Sequence, residues 1–161
     1  MTEVNLNREE DIQNKLLSKF SFLEGRIKVK RARRIFADVD LNNFRSVFDY
    51  IVKDANFNIM CMITGLDEGE NLSFIYHLAN FDGIIFDLKT YAPKGNPVLK
   101  TITDAFPGAG LYERELVDLL GAKVEGLSID NRYPLPDGWP DGQYPLRKDW
   151  KREMLDQKEE K

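Results

Sequence analysis

Residues 71–78 read Asn-Leu-Ser-Phe-Ile-Tyr-His-Leu, and the alternation within this stretch sets the class of fold. Large apolar side chains take every second position, which is the period-two pattern of a strand with one face on a core. The apolar face, which we expect to lie against helices, comprises Leu72, Phe74, Tyr76 and Leu78. The opposite face comprises Ser73, Ile75 and His77. The stretch therefore predicts a strand in a sheet that helices cover on one side.

Two more β-rich runs flank this strand, residues 58–64 before it and residues 83–91 after it. Turns rich in Gly, Asp and Asn separate the three runs, and the lengths of these turns are typical of hairpins. The three runs together predict an antiparallel meander.

The segment before the meander predicts a helix and a hairpin. Apolar residues recur at helical spacing over residues 8–20, and Asn7 followed by Glu10 is typical of a capping box at the start of a helix. Alternation over residues 26–30 and 35–39 predicts two strands joined by a turn.

A second amphipathic helix follows this hairpin. Asp40 or Asn42 can cap its start, and its apolar residues fall on one stripe of a helical surface. The stripe comprises Phe44, Val47, Phe48, Ile51 and Val52. The resulting order αββαβββ predicts an α+β fold, a single domain whose antiparallel or mixed sheet is covered by helices.

The remainder of the chain changes character twice. Residues 98–105 and 112–120 predict short helices separated by a Phe-Pro-Gly break, the second of them carrying a polar motif. Residues 127–150 interleave four prolines with Trp and Tyr, so we expect an extended arm. Residues 151–161 are nearly all charged or polar, and we expect a flexible tail. The predicted division is therefore a domain over 1–126, the arm and the tail.

Composition limits the function. With 42% hydrophobic residues the chain can fold around one core, and a net charge of −4 argues against nucleic-acid binding as its main task. One cysteine, Cys61, and one histidine, His77, are too few ligands for an iron–sulfur cluster, a haem or a structural zinc. We therefore expect no cofactor and no metal in this chain. The acidic N-terminus and the lack of a long apolar run predict a cytoplasmic protein that reaches a membrane only through partners.

The densest polar cluster lies on the predicted helix 112–120 and comprises Glu113, Arg114, Glu115 and Asp118. Helical geometry places Glu113 among apolar residues, where a carboxylate needs a cationic or backbone partner. The cationic candidates are Arg132, Arg147 and Lys148. Arg114 and Asp118 have the spacing of a helical ion pair. Three interpretations stay open: an acid–base couple of Glu113 and Glu115, a network that fixes the C-terminal segment, or a partner-binding surface.

Three isolated features have a structural interpretation beside a functional one. The six cations of residues 26–34 suit a weak RNA-binding module, but they are more typical of the solvent face of an outer hairpin. His77 is typical of a satisfied sheet residue, and Cys61 of a small core residue.

The arm over residues 127–150 is rich in the residue types that dominate protein interfaces. Rigid prolines keep such a segment extended, so its binding loses less entropy than that of a flexible chain. The arm either binds a partner or folds back over its own domain, and we favour a partner.

A set of motifs in the last part of the chain resembles the signature of a known family. They are Asn96-Pro97, Thr101-Ile102-Thr103-Asp104, Phe106-Pro107, residues 112–121 (YERELVDLLG in one-letter code), residues 135–140 (LPDGWP) and residues 144–149 (YPLRKD). Their order is similar to that in the 30-kDa subunit family of NADH:quinone oxidoreductase, or respiratory complex I. The form of the last two motifs looks more like the equivalent module of membrane-bound, energy-converting [NiFe] hydrogenases.

This resemblance implies a non-catalytic docking subunit without a cofactor. Its implied partners are the large catalytic subunit and the small iron–sulfur subunit of a complex at the cytoplasmic face of a membrane, which themselves carry the nickel–iron or quinone site and the clusters. The implied site residues on the motif helix are Glu113, Arg114, Glu115 and Asp118. Those implied on the arm are Arg132, Trp139, Tyr144, Arg147, Lys148 and Asp149.

Overall fold

The structure of the chain, a computed structural model, describes residues 6–128 and 132–156. The α-helices are α1 (Asn7–Lys19), α2 (Leu41–Lys53), α3 (Ala109–Leu120) and α4 (Glu153–Asp156). The strands are β1 (Ile27–Arg31), β2 (Arg34–Asp38), β3 (Ile59–Asp67), β4 (Asn71–Ala79), β5 (Ile85–Pro93), β6 (Val98–Lys100) and β7 (Lys123–Glu125). Up to β5 the order of helices and strands is the predicted αββαβββ.

The larger sheet has five strands in the order β1-β2-β5-β4-β3. β1 and β2 pair antiparallel, whereas β2 and β5 pair parallel. The links from β3 to β4 and from β4 to β5 span residues 68–70 and 80–84, which is too short for the crossover that parallel neighbours need. The predicted antiparallel meander and the mixed sheet of an α+β fold are therefore confirmed.

The chain divides into two compact units. The first comprises residues 1–64 and 74–91, and the second comprises residues 65–73 and 92–161. In the first unit the alternation of β4 is confirmed, since Phe74, Tyr76 and Leu78 are buried. Tyr76 meets Phe44 and Phe48 of α2, with ring centroids 4.6 Å and 6.2 Å apart. The predicted apolar face of the sheet thus packs on a helix.

Both predicted N-terminal caps differ from the structure. α1 starts after Leu6 with no side-chain cap, so the capping box of Asn7 and Glu10 is wrong. Asp40 does precede α2, but its carboxylate caps no N–H of the helix. It accepts hydrogen bonds from the Tyr91 hydroxyl (2.5 Å) and from Arg26 (2.9 Å) instead. Tertiary partners have thus taken the place of the local cap at α2.

The predicted helix over residues 98–105 is wrong. Residues 98–100 form strand β6, which pairs parallel with β7 more than 20 residues further along the chain. A short apolar run fits a strand as well as a helix, and here the distant partner supplies the backbone hydrogen bonds. The motif helix α3 exists but begins at Ala109, three residues before its predicted start at Tyr112.

Glycine at position 65 is explained by the packing of α3 in the second unit. A Cβ atom there would lie 2.3 Å from a Leu120 side-chain atom and 2.7 Å from a Leu116 side-chain atom. A glycine inside a strand allows such close approach. The division into a domain, an arm over 127–150 and a flexible tail stays a prediction, and residues 129–131 and 157–161 of those segments lie outside the described residues.

Candidate functional site

Glu113 is the buried centre of the motif helix, with only 1% of its surface exposed. Its carboxylate accepts hydrogen bonds from the Thr101 hydroxyl (2.6 Å) and from the backbone N–H of Ile102 (2.8 Å). Burial raises the pKa of Glu113, although these two hydrogen bonds and nearby Asp104 also act on it, the hydrogen bonds to lower it and Asp104 to raise it. Glu113 therefore ties the loop after β6 to α3.

The cationic partners predicted for Glu113 are wrong, while the predicted backbone partner is confirmed. The side chains of Arg132 and Arg147 and the backbone N–H of Lys148 contact other acceptors. The reason is that the loop before α3, and not the arm after it, covers the face of the helix on which Glu113 lies.

Asp118 joins the same helix to the arm. It is buried, and its carboxylate lies 3.3 Å from Nε of Arg132 and accepts a hydrogen bond of 3.2 Å from the N–H of Leu135. The predicted pair of Arg114 with Asp118 is not formed, because Arg114 donates to the carbonyl of Ser128 (3.3 Å). A charged partner from the arm has replaced the local one.

The arm is folded on itself around Arg132 and Trp139. Arg132 donates to the Trp139 carbonyl and lies 3.3 Å from the Asp141 carboxylate. The Trp139 indole N–H donates to the carbonyl of Gln143 (2.8 Å), and its ring lies 5.9 Å from that of Trp150. These contacts give residues 132–150 a defined path without regular secondary structure.

The arm also covers the C-terminal end of α3. The N–H of Leu146 donates to the carbonyl of Leu119 (3.0 Å), and Nε of Arg147 donates to that of Leu120 (2.7 Å). The carbonyls at the C-terminal end of a helix have no partner within the helix, and a cation there also interacts favourably with the helix dipole. Arg147 lies 4.6 Å from the centre of the Tyr144 ring, which fills the space beside Gly121. The arm therefore caps the motif helix.

A third anchor of the arm is an ionic cluster that the sequence analysis missed. Asp67 lies 2.8 Å from Lys94, and Lys94 lies 2.9 Å from Asp149. Burial would raise the pKa of Asp67, but hydrogen bonds from Lys94 and from the N–H groups of Gly69 and Lys148 outweigh it and lower this pKa to about 2. The one signal in the sequence is that Asp67 ends an otherwise uncharged strand.

Most of the predicted site residues are thus brought together in the second unit, on α3 and the arm. Glu115 is half-exposed, and it lies two positions from the buried Glu113, a spacing that does not bring side chains together on a helix. Glu113 and Glu115 therefore do not form an acid–base couple in the structure. The large apolar side chains that the unit leaves most exposed are Leu111 (54%), Tyr133 (42%) and Leu146 (55%).

In the first unit the basic hairpin does not present one cationic surface. Arg26 pairs with Asp40 at 2.9 Å, and Arg34 pairs with Asp87 through two contacts of 2.8 Å and 3.1 Å. Asp87 also lies 2.6 Å from Nδ1 of His77. His77 is therefore a satisfied sheet residue, as predicted, and the RNA-binding interpretation loses two of its six cations.

Cys61 is exposed, so its predicted place in the core is wrong. The reason is that β3 lies at an end of the strand order, which the sequence alone does not reveal. Within residues 6–128 and 132–156, no group of three or more His, Cys, Asp or Glu side chains could hold a metal ion. Across the same ranges, no helix has the length and apolar character that crossing a membrane requires.

The chain belongs to the family described as the respiratory-chain NADH dehydrogenase 30 Kd subunit, whose model matches residues 37–154. The resemblance seen in the motifs is therefore confirmed. The family relatives described below include subunits of respiratory and of hydrogenase-type membrane complexes, and the chain is a subunit of a complex of this kind.

Three curated relatives show the range of the family. The chain is 29% identical to the membrane-bound hydrogenase subunit beta of Pyrococcus furiosus, over 91% of this chain and 88% of that protein. It is 30% identical to a subunit of the F(420)H(2) dehydrogenase of Methanosarcina mazei, over 73% of this chain and 75% of that protein. It is 35% identical to the C/D subunit of the NADH-quinone oxidoreductase of Aeromonas hydrophila, over 50% of this chain but 13% of that protein.

Two solved structures share the fold. A chain of the membrane-bound sulfane sulfur reductase, an archaeal respiratory membrane complex, matches with a TM-score of 0.81 and 31% identity, over 96% of this chain and 92% of that one. The trypsin-resistant fragment of Nqo5 matches with a TM-score of 0.64 and 26% identity, over 76% of this chain and 98% of that one.

Proposed function

We propose that this chain is a cofactor-free, non-catalytic docking subunit that helps to hold a membrane-associated redox complex together. The observation that carries the proposal is the arm, whose residues 132–150 are fixed on the motif helix through Asp118, Leu119 and Leu120. A segment that is ordered before it binds loses less entropy on binding. The anchored arm is therefore a preformed surface for a partner.

The division of labour among the site residues supports this proposal. The polar groups of Arg132, Trp139 and Arg147 contact the chain itself, so in our proposal they shape the arm. The neighbouring Leu146 is anchored through its backbone while 55% of its surface stays exposed. Exposed apolar side chains on a rigid frame are what a buried interface needs at its centre. We propose that Leu146, Tyr133 and Leu111 are contact residues.

The partners in this proposal are the large catalytic subunit and the small iron–sulfur subunit of the parent complex. The relative named C/D supports the first, because its matched segment is a small part of a chain that carries two subunit letters. Subunits joined in one chain in one organism are good candidates for contact in another. We place the chain at the cytoplasmic face of the membrane, joined to it through these partners.

We further propose that the parent complex is an energy-converting [NiFe] hydrogenase and not an NADH dehydrogenase. The 29% identity to a membrane-bound hydrogenase protein over nearly the whole length supports this choice, as does the form of the arm motifs. The absence of a cofactor in this subunit is supported by the positions of its best ligands. Cys61 is the one cysteine of the sequence and lies exposed on a strand, and His77 is engaged with Asp87 and Thr64.

Affinity purification of the tagged chain from detergent-solubilised native membranes tests this function. We expect the wild-type chain to retrieve a large and a small subunit, and Leu146→Asp to retrieve much less of the large one. Phe81→Asp is the matched control, since Phe81 is 87% exposed but lies in the link between β4 and β5, outside the proposed contact residues. Nickel in the retrieved large subunit would decide for the hydrogenase. Retrieval of no partner by the wild-type chain would contradict the docking role.

A further inference from the structure

The two edges of the five-stranded sheet are built differently. The strand order places β1 at one end and β3 at the other. β1 carries exposed Lys28, Lys30 and Arg31, and its pairing with β2 shifts register between Val29 and Arg31. Charges and bulges on an edge strand prevent further strands from pairing with it. β1 is therefore a protected edge.

β3 lacks the charged side chains that protect β1. Residues 59–66 contain no charged residue and no proline. Ile59 is 37% exposed, Met62 is 47% exposed, and Cys61 between them is also exposed. A long, apolar, uncharged edge strand is a template for pairing with another chain. A protein that kept this edge open to water would be prone to unspecific association.

We propose that residues 59–64 of β3 pair with an extended, uncharged strand contributed by another subunit of the same complex. This inference rests on the proposed docking function and adds a second contact surface, in the first unit, to the arm. In this mode of recognition, main-chain hydrogen bonds supply affinity and alternate side chains supply specificity. The incoming strand is uncharged because a charge facing Ile59 or Met62 would lose its water and gain no counter-charge.

A second copy of this chain is the less suitable occupant. Pairing two β3 edges would join six residues a side, whereas a stable interface uses roughly 20–30 residues a side. A strand from a subunit that already contacts the arm adds to a larger interface and does not have to hold the pair together alone. The contact area therefore favours a different subunit.

The test combines two double variants with hydrogen exchange. Cys61→Lys with Met62→Lys places two charges on the edge, while Cys61→Thr with Met62→Thr keeps the edge uncharged at the same positions. In the membrane purification described above, we expect the lysine variant to retrieve about tenfold less of the partner subunits, because its charges would lose water at the contact. The threonine variant should retrieve wild-type amounts, and all three chains should have the same melting temperature.

Hydrogen exchange on the wild-type protein gives an answer even if the lysine variant does not fold. We expect the amides of residues 59–64 to exchange more slowly in the purified complex than in the isolated full chain. Equal retrieval by all variants, or equal exchange in both states, would overturn the edge proposal and leave the docking function standing. A dimeric isolated chain that the lysine variant makes monomeric would also overturn it, since a second copy would then occupy the edge. A wild-type chain that retrieves no subunit would overturn both.

Discussion

Replacing Glu113 by leucine tests whether this carboxylate holds the loop after β6 on the motif helix. In the wild type, the buried N–H of Ile102 lies 2.8 Å from a Glu113 carboxylate oxygen. Leucine removes both carboxylate oxygens and leaves this N–H without a partner. An unsatisfied buried donor costs about 1–3 kcal/mol. We therefore expect the free energy of unfolding to fall by about 2 kcal/mol, or roughly 4–8 °C in melting temperature for a chain of this size. Thermal and urea unfolding followed by circular dichroism measure both quantities.

Glu113→Gln is the matched control for this variant. Its amide can accept from the N–H of Ile102 and donate to the Thr101 hydroxyl, so this variant should not show the loss of stability expected of the leucine variant. Burial raises the pKa of Glu113, so its ionised form costs folding free energy as the pH rises above the ordinary carboxyl value of about 4.3. The glutamine variant lacks this cost, so its free energy of unfolding should rise relative to that of the wild type between pH 4 and pH 7. A leucine variant as stable as the wild type would refute the reasoning.

Three further perturbations follow from the anchors of the arm and from the sheet edge. Gly121→Ala places a Cβ 2.5 Å from the Tyr144 ring at a residue with φ of 73°. It should lower the free energy of unfolding, measured in urea, by roughly 2 kcal/mol or more. Asp67→Asn should lower the free energy of unfolding by roughly 2 kcal/mol at neutral pH. This difference from the wild type should vanish as the pH falls from about 4 towards the folded-state pKa of about 2. A constant difference over that range would contradict the ionic account. Cys61 should react with a maleimide in the folded protein without added urea, as mass spectrometry can show; protection of the thiol in the isolated chain would place it in a core.

The sheet was predictable where local pattern and tertiary packing agree. The alternation of β4 places Tyr76 and its apolar neighbours on the face that α2 covers, because a strand with one buried face has no other way to arrange them. The run after residue 97 was mispredicted as a helix because its partner β7 lies far along the chain. Cys61 was misplaced for a related reason, since the strand order that makes β3 an edge is a property of the whole sheet.

The candidate site was predictable in its residue types and less so in its contacts. Spacing on a helix correctly placed Glu113 on the apolar side and required a partner for it, and burial confirms that placement. The identity of that partner depended on the position of a loop, because Thr101 and Ile102 directly follow β6, a strand whose partner β7 lies far along the chain. The pairing of Asp118 with Arg132 likewise required knowing the path of an arm without regular secondary structure.

Native mass spectrometry of the complex purified through this chain is the sharpest test of its proposed role as a docking subunit. We predict one assembly that contains this chain together with a large and a small redox subunit in fixed stoichiometry. On dissociation, this chain should leave at the mass of its polypeptide, with the nickel–iron site and the clusters staying on its partners. A chain that purifies alone, or that leaves the assembly carrying a redox cofactor of its own, would contradict the proposal.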